Sequence, residues 1–103
     1  MNLTKNFTLE ELTASATAKR LGINNTPSAE ELENLMRLAG VLQKIRDSFG
    51  MPIVVNSGFR CKYLNKVKGG AVNSDHLYGC AADIQSVGDK YNKTLWNHIM
   101  RLT

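Results

Sequence analysis

The densest chemistry in this 103-residue chain lies in Ser74-Asp75-His76-Leu77-Tyr78-Gly79-Cys80-Ala81-Ala82-Asp83, where an imidazole and a carboxylate stand seven residues apart with a glycine between them. On a continuous helix that spacing would put both side chains on one face but about 10 Å apart along the axis. Two ligands of one tetrahedral zinc ion must instead lie about 3.3 Å apart, given bonds of roughly 2.0–2.1 Å. A helix therefore suits the pair badly. A loop that turns at Gly79 and runs into a strand would fold His76 back beside Asp83. A neutral imidazole and a carboxylate make a sound hydrolytic zinc pair once a third ligand and an open water position complete the set. Taken alone, such a pair more often marks an ordinary hydrogen bond, so its surroundings must decide.

Those surroundings begin with three helical segments. Thr8-Leu9-Glu10-Glu11 is a capping box, in which the threonine hydroxyl takes an orphan amide and the glutamate reaches back; Leu9 and Leu12 would face inward. Ser15 to Leu21 reads as a second short helix closed by Gly22. After the loop Ile23-Asn24-Asn25-Thr26-Pro27, a second capping box, Ser28-Ala29-Glu30-Glu31, opens a long amphipathic helix. Leu32, Leu35, Met36, Ala39, Leu42, Ile45 and Phe49 recur there at helical spacing, and Gly50 and Pro52 end it. This helix is scaffold. The period then changes: Ile53-Val54-Val55 is a β-branched run leading into Asn56-Ser57-Gly58-Phe59-Arg60. Cys61 to Lys68 forms a short helix with Tyr63, Leu64 and Val67 as inward candidates. Gly69-Gly70 starts a loop to Ser74, and Ala81 to Ile84 reads as a second strand. A loop over 88–92 and a last helix over 94–102, carrying Trp96 and His98, close the chain. Helices followed by strands point to an α+β domain.

Composition narrows the classes. With 43% apolar and 21% charged residues the chain is neither disordered nor fibrous. Its net charge of +4 comes from scattered lysines and arginines, too mild to select an anionic partner. No groove-reading helix or aromatic–basic strip points to nucleic acid. No stretch is apolar enough to span a membrane, and the N-terminus lacks the apolar core of a secretory signal, so synthesis in the cytoplasm is expected. Cys61 and Cys80 are too few for a disulfide scaffold and are read as free thiols.

The weighting of His76 and Asp83 changes with the whole pattern. Ser57-Gly58-Phe59-Arg60, then Leu64-Asn65, Val67, Gly69-Gly70 and Ser74-x-His76-x-x-Gly79-x-Ala81-Ala82-Asp83-Ile84, resembles the zinc D-Ala-D-Ala carboxypeptidases and related phage endolysins. Phe7 to Leu12, Ser15-x-Thr17-Ala18, Asn25-x-Pro27 and the long helix are similar too, so the resemblance covers nearly all of residues 6–84. It implies a Hedgehog/DD-peptidase-like fold, with N-terminal helices packed on a small antiparallel sheet, in one domain over residues 6–103. It further implies zinc as cofactor and peptidoglycan stem peptides as substrate. His76 and Asp83 match the first two zinc ligands, and Arg60 matches the arginine that pairs with the substrate's terminal carboxylate. A guanidinium fork suits that task. Ser74 sits where the family has a serine beside the substrate pocket; a loop-capping hydroxyl is an equal reading. Gly69-Gly70 and Gly79 would let the backbone turn tightly around the metal.

The family's third zinc ligand is a histidine on a later strand, with an acid/base residue close by. This chain is expected to stop before that strand, so no catalytic residue is assigned and whether it acts as an enzyme is left open. His98 lies only 15 residues after Asp83, inside an apolar helical pattern, and is not assigned as the ligand. A set of Cys61, His76, Cys80 and His98 lacks finger-like spacing. The expectation is a zinc peptidase domain acting on peptidoglycan, of carboxypeptidase or endolysin type, nearly inactive with two ligands. The alternative is a non-catalytic cell-wall-binding module on the same fold; a signalling or structural domain ranks behind it. A sheet lacking its last strand would expose an edge through which copies could associate.

Overall fold

The computed structural model describes residues 1–86. The loop expected over 88–92, the final helix and His98 lie outside the described residues. Within them the order is α1 (Leu9–Thr13), α2 (Ala16–Leu21), α3 (Ala29–Phe49), β1 (Ile53–Ser57), α4 (Lys62–Val67), a 3₁₀ turn (Asp75–Tyr78) and β2 (Asp83–Ser86). This is the expected α+β arrangement: four helices and an antiparallel pair of strands.

Both capping boxes form. Thr8 Oγ1 accepts from Glu11 N at 3.1 Å and Ser28 Oγ from Glu31 N at 3.2 Å, and each glutamate carboxylate accepts the cap's own amide. Such caps satisfy amides that helices of five to twenty-one residues would otherwise leave unpaired. The long helix turns Leu35, Ala39 and Leu42 into a core shared with Phe7, Leu12, Ile53 and Phe59. Each large side chain buried there contributes roughly 1.5–3 kcal/mol. Met36 departs from the expected stripe: one residue past Leu35 it has rotated off the buried face and is 52% exposed.

Short helix α4 departs further. Leu64 and Asn65 face inward, whereas Tyr63 and Val67 are exposed. The second strand begins two residues later than the apolar run suggests, leaving Ala81 and Ala82 outside the ladder. Its pairing with β1 runs Ile53↔Ser86, Val54↔Gln85 and Val55↔Ile84, then shifts to Ser57↔Asp83, so Asn56 is an extra residue on β1. Among the described residues no helix is long and apolar enough to cross a membrane.

Candidate functional site

The site is assembled where the end of β1 meets the 3₁₀ turn and the start of β2. Gly58 and Phe59 follow β1 directly against α1: Phe59 N donates to Leu12 O at 2.8 Å, and a Cβ on Gly58 would lie 2.3 Å from that same oxygen. Only glycine permits so close a backbone approach. Asn25, from the loop before α3, pins the outgoing chain. Its Nδ2 donates to Thr13 O at 2.9 Å and Phe59 O at 3.0 Å, and its Oδ1 accepts from Cys61 N at 2.7 Å.

The two motif segments then lock together. Arg60 N donates to His76 O at 3.0 Å, and His76 Nδ1 lies 2.7 Å from Gly58 O. A carbonyl oxygen only accepts, so Nδ1 is a nitrogen that carries a proton, which makes Nε2 the atom whose lone pair a metal would take. The Nε2 atom faces Asp83 Oδ2 at 3.5 Å. Gly79 makes this return possible. It closes the 3₁₀ turn at φ +75°, and its missing side chain lets the turn pack against α3, where a Cβ would sit 2.8 Å from Glu31 O. Sequence spacing thus predicted the fold-back of His76 onto Asp83, and the turn at Gly79 delivers it.

Arg60 comes from the other side. Its Nη2 lies 3.7 Å from Asp83 Oδ2, its Nε donates to Ser57 Oγ at 3.1 Å and its Nη1 to Asn65 Oδ1 at 3.3 Å. Both approaches to Asp83 are longer than the 2.7–3.2 Å of an ordinary hydrogen bond. The carboxylate is therefore faced by His76 and Arg60 without being closely bonded to either. Its side chain is 61% exposed, whereas those of His76 and Arg60 are 12% and 15% exposed. Arg60 also lines a cleft of about 270 Å³ between α2 and β1, together with Ser15, Thr17, Val55, Ser57 and Lys68.

Ser74 caps the 3₁₀ turn, its Oγ accepting from His76 N at 3.2 Å. A hydroxyl so engaged can still donate its own proton. Gly70 does not turn tightly beside His76. Its missing side chain makes room for Asn65 and Arg60, because a Cβ there would meet Asn65 Oδ1 at 2.1 Å and Arg60 Nη1 at 3.1 Å. Asn25 and Asn65 belong to the pattern quoted above, yet spacing alone had assigned neither a task.

The His76 Nε2 to Asp83 Oδ2 separation of 3.5 Å is close to the roughly 3.3 Å required of two ligands on one tetrahedral zinc ion. The Nδ1–H bond to a carbonyl is the outer contact that orients a metal-binding histidine. Donor types and spacing therefore fit such an ion as a pair. Among the described residues no group of three His, Cys, Asp or Glu side chains converges on one point. Cys61 instead caps α4 through its sulfur, and both cysteines are free thiols.

The fold and these motifs agree with what the comparisons show. The model of the family described as peptidase M15 matches residues 5–101, and the chain belongs to that family. It is also 52% identical over 44 residues to a zinc D-Ala-D-Ala carboxypeptidase of Streptomyces albus G; the match covers 42% of this chain and 17% of that protein's length. No solved structure matches the chain significantly.

Proposed function

We propose that this chain contributes a zinc-peptidase site acting on peptidoglycan peptides, with His76 and Asp83 as two of the metal's ligands and Arg60 as the receptor for a peptide's terminal carboxylate. The observation that carries the reading is His76 Nε2 facing Asp83 Oδ2 at 3.5 Å while Nδ1 is tied to Gly58 O. Membership of the peptidase M15 family and the similarity to a zinc carboxypeptidase support it.

Zinc, when bound, polarises a scissile carbonyl and lowers the pKa of its water toward roughly 7. The chain's own residues supply the rest of the assigned chemistry. His76 presents a lone pair whose direction is set by the Gly58 carbonyl, and Asp83 offers a negative charge beside it. Arg60, already oriented by Ser57 and Asn65, offers a planar fork to a carboxylate. Ser74 holds the His76 amide and has its own proton to offer a peptide carbonyl. The third metal donor and the group that moves the water's proton would come from outside the constellation described here. A lysin that meets the cell wall after its synthesis in the cytoplasm would use the same site.

Zinc titration of the purified chain and of His76→Ala, followed by calorimetry, tests the proposal. Stoichiometric, His76-dependent zinc with hydrolysis of a D-Ala-D-Ala-terminated peptide is the expected result for a complete site. Weak zinc and slow hydrolysis would mean that His76 and Asp83 act without a third donor. Peptide binding with no zinc response would favour the non-catalytic cell-wall-binding reading. Loss of neither zinc nor activity in His76→Ala would refute the assignment.

A further inference from the structure

We propose that Asn65 and Gly70 are positioning residues for Arg60, setting the guanidinium and the loop after α4 as one unit for carboxylate recognition. The inference rests on the reading that Arg60 receives the substrate's carboxylate. Asn65 is only 3% exposed, and a buried primary amide must satisfy both its ends. Its oxygen accepts from Arg60 Nη1 at 3.3 Å and its nitrogen donates to Ala71 O at 2.8 Å. The loop answers through its backbone, with Gly70 N donating to Asn65 O at 2.9 Å. One side chain thus ties helix α4, the loop and the guanidinium together.

The adjacent glycines do different things. Gly69 has φ +73° and open space around its Cβ position, so it supplies a backbone turn. Gly70 supplies volume: a methyl there would lie 2.1 Å from Asn65 Oδ1, 2.8 Å from Asn65 Cγ and 3.1 Å from Arg60 Nη1. An alanine at 70 would push the amide off the guanidinium without removing either functional group. Bidentate recognition of a carboxylate depends on the plane of the fork, and an arginine loses that plane readily through its many rotamers. Ser57 Oγ on Nε and Asn65 Oδ1 on Nη1 fix the fork at two of its three nitrogens. With Asn65 withdrawn, Ser57 still holds Nε, but only the long 3.7 Å approach of Asp83 Oδ2 to Nη2 restrains the outer nitrogens.

The test compares binding of an acyl-D-alanyl-D-alanine peptide and of its C-terminal amide to the 103-residue chain, alongside the Arg60 guanidinium N–H resonances read by NMR. In Asn65→Ala the acid-over-amide preference should fall by about tenfold or more, the scale of a lost hydrogen bond to a charged group. The Arg60 Nη–H protons should exchange faster with water, while Nε–H stays on Ser57 Oγ. Gly70→Ala should reproduce both changes, and it carries the test should Asn65→Ala fail to fold. Gly69→Ala, strained but clear of the network, should lower stability and keep the preference. If the wild-type chain prefers the acid and both Asn65→Ala and Gly70→Ala keep that preference, positioning by Asn65 is overturned while the Arg60 reading stands. If the wild-type chain does not distinguish acid from amide, the Arg60 reading itself falls and this inference with it.

Discussion

Replacing Gly58 with alanine should be among the most damaging single-methyl changes in the described fold. The added Cβ would stand 2.3 Å from Leu12 O, 3.0 Å from Leu12 C and 3.2 Å from Leu12 Cα. All three are backbone atoms, so no side-chain rotation relieves the clash; α1 and the segment after β1 must part. Overpacking of this kind costs typically about 1–3 kcal/mol. Parting them also breaks the Phe59 N to Leu12 O bond of 2.8 Å beside a phenyl ring only 2% exposed. Leaving such a buried donor unpaired adds about 1–3 kcal/mol. The total of roughly 2–6 kcal/mol is a large share of a small domain's stability of about 5–15 kcal/mol. At about 4–8 °C per kcal/mol for a domain of this size, Tm should fall by at least about 8 °C in a circular-dichroism melt. Because Gly58 O holds His76 Nδ1, any zinc response should weaken together with stability. A Tm within about 3 °C of wild type would show that the strand end is not held against Leu12, and the positioning of His76 argued from it would fail.

Asn25→Ala removes three hydrogen bonds at once and should cost roughly 2–4 kcal/mol in a urea melt, more than an ordinary loop substitution. Leu64→Ala should cost about 2–5 kcal/mol, since that side chain is fully buried, whereas Met36→Gln should change stability by no more than about 0.5 kcal/mol. Asp83→Asn should leave stability within about 1 kcal/mol of wild type, because its carboxylate is largely exposed and its contact with Arg60 is long and solvent-screened. The same variant should abolish the zinc-dependent rise in Tm; a rise equal to that of the wild-type chain would remove Asp83 from the ligand set.

What could be read from the sequence was whatever local chemistry determines. The threonine and serine caps, each with a glutamate three residues on, lie where the hydrogen bonds confirm them, because a capping box involves only neighbours. The turn at Gly79 was legible for the same reason. The errors arise where tertiary contacts choose among local options. Helical spacing alone could not say that Met36 lies just beyond the edge of the buried stripe. On α4 apolarity favoured Tyr63, Leu64 and Val67; Leu64 is buried as expected, yet the second inward position went to Asn65. A polar amide is worth burying only when partners such as Arg60 and the Ala71 carbonyl await it, and burial is invisible in a residue string. For Asn25 the partners lie up to 36 residues away, and no periodicity reports such a clamp.

The least legible feature governs how Asp83 meets Arg60. Regular antiparallel pairing continued from Val55↔Ile84 would set Asp83 opposite Asn56, but the register shifts and Ser57 takes that place. Asn56 is thus the extra residue of a bulge, the device by which strands re-aim side chains near functional sites. Ser57 Oγ receives Arg60 Nε, so the shift brings the arginine's anchor opposite the candidate metal ligand. Deleting Asn56 should restore a regular ladder and draw Gly58 one position toward the sheet. The Gly58 carbonyl would then leave His76 Nδ1, and the Phe59 amide would leave Leu12 O. The expected outcome is a chain whose strands still pair, by the cross-strand contacts of Val54 and Val55 in an NMR spectrum, but whose zinc response is lost. A deletion variant that binds zinc as the wild-type chain does would show that the bulge is incidental to the site.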